Sequence, residues 1–430
     1  MKEDFLHYIW KFRQFKTQEL KTVDGELVEI LDPGVHNENA GPDFLDARLR
    51  IAGTLWAGNV EIHLTSSDWI KHGHQDDRAY DNVILHVVFG HDKSISQGGR
   101  KSIPTLELKD LIDFQSYRKY KAWLSSGKFI PCDRLLHTVP DIVKMSAVQS
   151  AAVRRLKEKS EDCLQHLNET KGDMEEAFYR IFMRSLGMKV NALPFEQLAK
   201  ITPHSLVRKV SVSREQLESL FLGQSGFLYA SDSHHPYVSE LKANYSFLKH
   251  KFSLTPMPVT SWKLFRLRPQ NFPQVRLAQA AAFFHSQPTV VSSLLELRHP
   301  ERITDFFRTE LRGDFWGNHY TLNSESAPKK KSFGDQFLKH LIINAVVPFV
   351  FALARYGKDE NFRMLALEIM EELPSEKNSI IRRFDNSGLG SESALDSQGL
   401  LHLKKKYCDL KKCLNCKIGI HLIQHHAEVS

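Results

Sequence analysis

The chain has 430 residues and a mass of 49.5 kDa, too long for one ordinary core, so two or three domains are expected. A hydrophobic content of 42% with 25% charged residues belongs to a globular fold and excludes a disordered or fibrous chain. The net charge of +7 is compatible with a polyanionic partner without demanding one.

No apolar run reaches membrane-spanning length: residues 341–354 come nearest, but they are too few and are interrupted by Pro348, which predicts a buried helix. The first residues carry Glu3 and Asp4 before their apolar part and no small-residue cleavage site follows, so no signal peptide is expected. Five cysteines, three of them bunched at Cys408, Cys413 and Cys416, do not make a disulfide framework. Together these features predict a cytoplasmic protein.

In chain order, Phe5, Leu6, Ile9, Trp10 and Phe12 are spaced for an amphipathic opening helix. Residues 18–32 read as a hairpin turning at Asp24-Gly25. Residues 44–51 and 55–64 read as two strands about a turn at Gly53, and a helix holding Trp69 and Ile70 follows, with Ser66 or Ser67 as its cap. The run NVILHVVF, residues 82–89, is nearly all apolar or β-branched and predicts a buried central strand. From residue 114 the periodicity becomes helical and stays so. The expected architecture is α+β and multidomain: an N-terminal α/β mixed-sheet domain over 1–115, a helical domain over 116–323, and a C-terminal helical segment over 324–430 that carries the cysteines.

Chemistry concentrates in residues 39–69. Successive residues of a strand alternate faces, so Glu61 and His63 share one side while Val60, Ile62 and Leu64 form the apolar one. Asp43 stands just before the partner strand, and a hairpin brings it to Glu61. Two carboxylates and the Ile62 carbonyl would suit Mg²⁺ or Mn²⁺, an ion that polarises a phosphodiester and acidifies an attacking water. On the other reading, Asp43 is a turn residue and Glu61 and His63 lie on a solvated face.

Pro42-Asp43 followed by Glu61-Ile62-His63, on a helix–strand–strand–strand–helix–strand order, resembles the PD-(D/E)XK nuclease superfamily. The resemblance covers the first quarter of the chain and implies a restriction-endonuclease-like fold with Asp43 and Glu61 as metal ligands. It makes His63 the third catalytic residue, in place of the usual lysine, and nucleic acid the partner. Histidine is no permanent cation, so the departure bears on turnover. A non-catalytic nucleic-acid-binding or protein-interaction scaffold is therefore the second expectation. The chain as a whole, including IPCD at 130–133 and RLRPQNFPQVR at 266–276, is similar to an uncharacterised bacterial family, a resemblance that implies no activity.

Beyond the motif, His74, Asp77 and His86 are candidate supporting residues, whereas His72 reads as solvated helix surface. His63, His74 and His86 with Asp43 or Glu61 would alternatively suit Zn²⁺ or Mn²⁺ in a different hydrolase. Cys408, Cys413 and Cys416 could hold zinc or an iron–sulfur cluster, with Cys132, His421 or His425 as fourth ligand, or pack as small hydrophobes. Arg266, Arg268 and Arg276 on a proline-rich connector could grip phosphates or tie helices together.

Overall fold

In the opening helix α1 (Glu3–Lys11), Phe5, Leu6, Tyr8, Ile9 and Trp10 are all buried, and the Trp10 indole donates to the Pro33 carbonyl. Helix α1 packs on a mixed sheet of strands β1 (Val28–Asp32), β2 (Val35–His36), β3 (Phe44–Ile51), β4 (Thr54–Thr65), β5 (Val83–Gly90) and β6 (Thr105–Glu107). This is a computed structural model that describes residues 1–37, 39–96, 102–311 and 314–425.

The sheet order is β1-β3-β4-β5-β6, with β2 pairing β3. Strands β1, β3 and β4 are antiparallel neighbours, while β4/β5 and β5/β6 are parallel. The β3/β4 hairpin turns at Ala52 and Gly53, both at positive φ, the geometry that a two-residue turn needs to match strand twist. Between Phe44 and Ala47 the register slips, and Asp46 takes a φ of 59° there. Such a bulge re-aims side chains beside it. Val83, Ile84, Leu85, His86, Val87 and Val88 are all buried, as the apolar run predicts for a central strand.

After β4 the chain makes a short helix α2 (Asp68–Lys71), then turns at Gly73, whose φ is 75°. The Ser66 and Ser67 hydroxyls, expected to cap α2, instead donate to the Asp92 carboxylate. The sheet is followed by helix α3 (Phe114–Ser125), whose first amides are capped by Asp113.

The chain divides into two compact units. The first joins Met1–Ala147 to the segment from Leu403 onward; the second is Val148–His402. Of the C-terminal segment expected over 324–430, residues 324–402 fall in the second unit and those from Leu403 onward in the first. The second unit is helical around an aromatic core in which Phe182 stacks on Phe283 and Phe307, and Phe178 lies against Phe349. Residues Asp335–Gly357 make one helical run long and apolar enough to cross a membrane, but 83% of its apolar window is buried inside the fold. Pro348 does not break it. A π-type turn at Ile342–Val346 precedes the proline and absorbs the lost backbone hydrogen bond.

Candidate metal centre

Phe44 pairs with Val60, which sets Asp43 opposite Glu61 across the β3/β4 hairpin. Two hydrogen bonds tie them: the Asp43 amide donates to Glu61 Oε2 at 3.0 Å, and the Ile62 amide donates to Asp43 Oδ2 at 3.0 Å. The contact Ile62 makes with the pair is thus through its N–H. Glu61 is only 4% exposed, so the face it shares with His63 is covered and not solvated. Burial, and then the Asp43 charge, pushes the Glu61 carboxyl up to about 9. From α1, His7 Nε2 reaches Asp43 Oδ2 at 3.2 Å. Burial opposes protonation of His7, but the Asp43 contact outweighs it and raises the pKa.

On the same face a histidine group surrounds Glu61. One ring nitrogen each from His63, His72 and His74 lies within 4.8 Å of the other two. His63 Nε2 is 3.1 Å from His72 Nδ1, and Glu61 Oε1 is 3.4 Å from His63 Nε2 and 3.3 Å from His74 Nε2. The parallel register sets His86 beside Glu61, and His86 Nε2 meets His63 Nδ1 at 2.8 Å. Buried Trp69 stands edge-on to His63, His74 and His86, and Tyr80 stacks on His74. Burial, and then the neighbouring imidazoles, depresses His63 to about 2 and His86 to about 3, and lowers His74 as well. Neutral rings with free lone pairs are what metal ligation needs.

The donor chemistry fits a transition ion. Three imidazoles and one carboxylate suit Zn²⁺ or Mn²⁺ better than Mg²⁺, which prefers oxygen. A proton on His63 Nδ1, shared with His86, would leave His63 Nε2 free to face an ion and would fix the ring. His86 Nδ1 is itself buried without a hydrogen-bond partner among the described residues.

Sequence reasoning paired Asp43 with Glu61 and His63 and singled out His74 and His86, and the fold gathers all five. Asp77 serves elsewhere: its carboxylate caps the next turn by accepting the Ala79 amide at 2.9 Å. His72 had been read as solvated helix surface. The ring is exposed, yet the αL turn at Gly73 lets both His72 and His74 face His63. The spacing His-Gly-His was the available signal. His7 had none, because it reaches Asp43 from a different element.

A cleft of about 580 Å³ opens beside His7, lined among others by Lys2, Lys11, His36, Lys411 and Lys412. In the second unit Arg266 and Arg268 are exposed. Arg276 is not available to phosphates: it is 3% exposed, bonded to Asn271 and Gln279, and stacked 3.7 Å from the Phe337 ring centre. That corrects its reading as a nucleic-acid contact, since the helix Pro273–Ser286 that carries it is buried along nearly its whole length.

The chain matches, over residues 3–379, the family described as Protein of unknown function (DUF2851). No curated protein and no solved structure matches it.

Proposed function

We propose that this chain, which belongs to the DUF2851 family, is a metal-dependent hydrolase of phosphodiester bonds in nucleic acid. The observation that carries the reading is the cluster of His63, His72 and His74, with Glu61 Oε1 against His63 and His74, Asp43 beside Glu61 and a lysine-lined cleft at His7. The order α1, β1, β3, β4, α2, β5, with β5 parallel to β4, also supports the likeness to the PD-(D/E)XK nucleases.

In this reading His63 Nε2, His72 Nδ1, His74 and Glu61 Oε1 would hold Zn²⁺ or Mn²⁺. The ion supplies Lewis-acid polarisation of the phosphate and a lowered pKa for its bound water. His86 fixes the ring of His63. Asp43, hydrogen-bonded through Oδ2 to the Ile62 amide and braced by His7, receives the proton of the attacking water. His7, held toward its cationic form, and the cleft lysines meet phosphate charge, which makes binding salt-sensitive. His63 thereby takes a role different from the usual lysine: it holds the ion, and His7 and the lysines carry the positive charge.

The test is cleavage of single- and double-stranded DNA and RNA by the purified full chain with Zn²⁺, Mn²⁺ or Mg²⁺. Asp43→Ala, Glu61→Ala and His74→Ala should each abolish it. A wild type that cuts nothing with any of these ions, or variants that cut equally well, would sink the reading. The scaffold alternative, favoured by histidine at the lysine position, expects nucleic-acid binding that is unchanged in Glu61→Ala.

A further inference from the structure

We infer that the cleft beside His7 seats one unpaired nucleotide of a strand, which makes single-stranded nucleic acid the preferred substrate class. The inference rests on the nucleic-acid reading of the neighbouring site and adds how the strand is gripped.

Helix α1, helix α3 and the turn at 410–415 wall the cleft, all within the first unit. Along α1, Asp4, His7 and Lys11 recur at spacings of three and four and so share one face. Lys2 precedes the helix, and Lys411 and Lys412 come from the turn, so four lysines and a single carboxylate, Asp4, line the cleft. The Lys411 ammonium is engaged by the Ser126 carbonyl, whereas Lys2, Lys11 and Lys412 are exposed. Such a balance selects an anion, and flexible ammonium groups suit the phosphates of a strand. Among the described residues, Cys408, Cys413 and Cys416 do not bring all three sulfurs within 4.8 Å of one another, so this turn contributes lysines and not a thiolate cage.

The lining is aromatic as well as basic. Tyr8, Phe12 and Tyr120 belong to it, and they form one connected group. Phe12 lies 5.2 Å from Tyr8 between ring centres, and Tyr8 and Tyr120 both pack on Phe5, at 6.0 and 5.8 Å. Tyr8 is 3% exposed, and its buried hydroxyl has no hydrogen-bond partner among the described residues. A buried hydroxyl left unbonded costs free energy that a polar ligand would recover.

The cleft volume of about 580 Å³ falls in the ~300–1,000 Å³ range of small-ligand sites, room for a nucleotide and not for a double helix. Paired bases offer only their edges, in the grooves, whereas an unpaired base offers a flat face to an aromatic ring. Lysines beside recessed rings therefore match the phosphate and base of one unpaired nucleotide. His7 joins this cleft to the candidate centre: it lines the one and reaches Asp43 Oδ2 at 3.2 Å in the other.

The test is binding by the purified full chain in chelator, so that cleavage plays no part. The probes are a fluorescent oligothymidylate, the same strand annealed to its complement, and free dTMP. The single strand should bind at least ~10-fold tighter than the duplex, and dTMP should compete far more weakly than unlabelled strand. Lys412→Glu should flatten the salt dependence, while Lys405→Glu, an exposed lysine outside the cleft, should not. Phe12→Ala should weaken single-strand binding by ~5-fold or more, the lower end of what a stacked aromatic contributes. Since Phe12 also packs on Tyr8, photocrosslinking of an iodouracil-substituted strand to the unsubstituted chain is the second measurement, and its adduct should map to the aromatic residues of the cleft. Duplex bound as tightly as single strand, dTMP that outcompetes the strand, equal effects of Lys412→Glu and Lys405→Glu, or crosslinks only outside the cleft would each overturn the proposal. The two readings fail separately. Cleavage that no cleft variant alters sinks this one, and cleft-dependent binding by a chain that cuts nothing sinks only the hydrolase.

Discussion

The Asp43 amide donates to Glu61 Oε2 while the Asp43 carboxylate accepts the amide that follows Glu61, so the two acids brace one another through the backbone. This reciprocal arrangement fixes both carboxyl groups, Asp43 beside His7 and Glu61 beside His63 and His74. Burial keeps the His63 and His86 imidazoles neutral beside a carboxyl that resists ionisation. That state has measurable consequences.

Glu61 titrates near 9 in the fold against 4.5 for an ordinary carboxyl. Between those values the unfolded chain releases a proton that the folded chain keeps. The contribution to stability is therefore fully present below about 4.5 and is lost as pH rises through about 9. Glu61→Gln removes that slope. Melting temperatures of metal-stripped protein across this window should fall with pH in the wild type relative to the variant, and parallel curves would show that Glu61 ionises normally.

His72 is exposed but faces the ligand set. His72→Ala should change stability by no more than about 0.5 kcal/mol, the usual range for a surface substitution. It should nevertheless weaken Zn²⁺ or Mn²⁺ binding by at least ~10-fold, the lower end of what even a supporting residue costs. Calorimetric titration with metal beside a urea melt separates the two effects. Unchanged affinity would return His72 to plain surface.

His86 acts through His63. Its depressed pKa, like that of His63, contributes stability that is present above about 6.5 and lost as pH falls through about 3. His86→Leu removes its own share of that acid-side loss. By releasing the His63 ring it should also weaken metal binding by roughly 10–100-fold. A variant with full metal affinity would mean that packing alone orients His63.

Arg276 is buried with amide partners and an aromatic ring but no carboxylate among the described residues, and burial depresses its pKa to about 9. Arg276→Ala should cost the second unit about 2–4 kcal/mol, from the cavity and the orphaned Asn271 and Gln279. It should leave the salt dependence of any nucleic-acid binding unchanged. Urea unfolding and binding at two ionic strengths check both halves.

What the sequence conveyed was local. Alternation along residues 60–64 separated the chemical face of β4 from its apolar one, and the β-branched run at 82–89 announced the central strand. The pairing of Asp43 with Glu61 was readable because one hairpin spans them and Gly53 marks its turn. His7 was not readable, since its contact with Asp43 joins a helix to a strand end. His72 was misread because a helix was projected through residue 72, whereas Gly73 ends it and turns the chain back. Arg276 was readable either as a phosphate contact or as a tie between helices, because charge on a proline-rich stretch says nothing of burial. Each miss involves a partner or a backbone turn that periodicity does not encode.

One unit is built from both ends of the chain and the other from the uninterrupted stretch between them, and this orders the way the protein can form. Residues 148–402 carry every contact of their own core and can fold while synthesis continues. The first unit waits: helix α1 and the sheet leave the ribosome early but lack the segment from Leu403 onward until the end. Its closure spans most of the chain, a long-range step of the kind that slows folding.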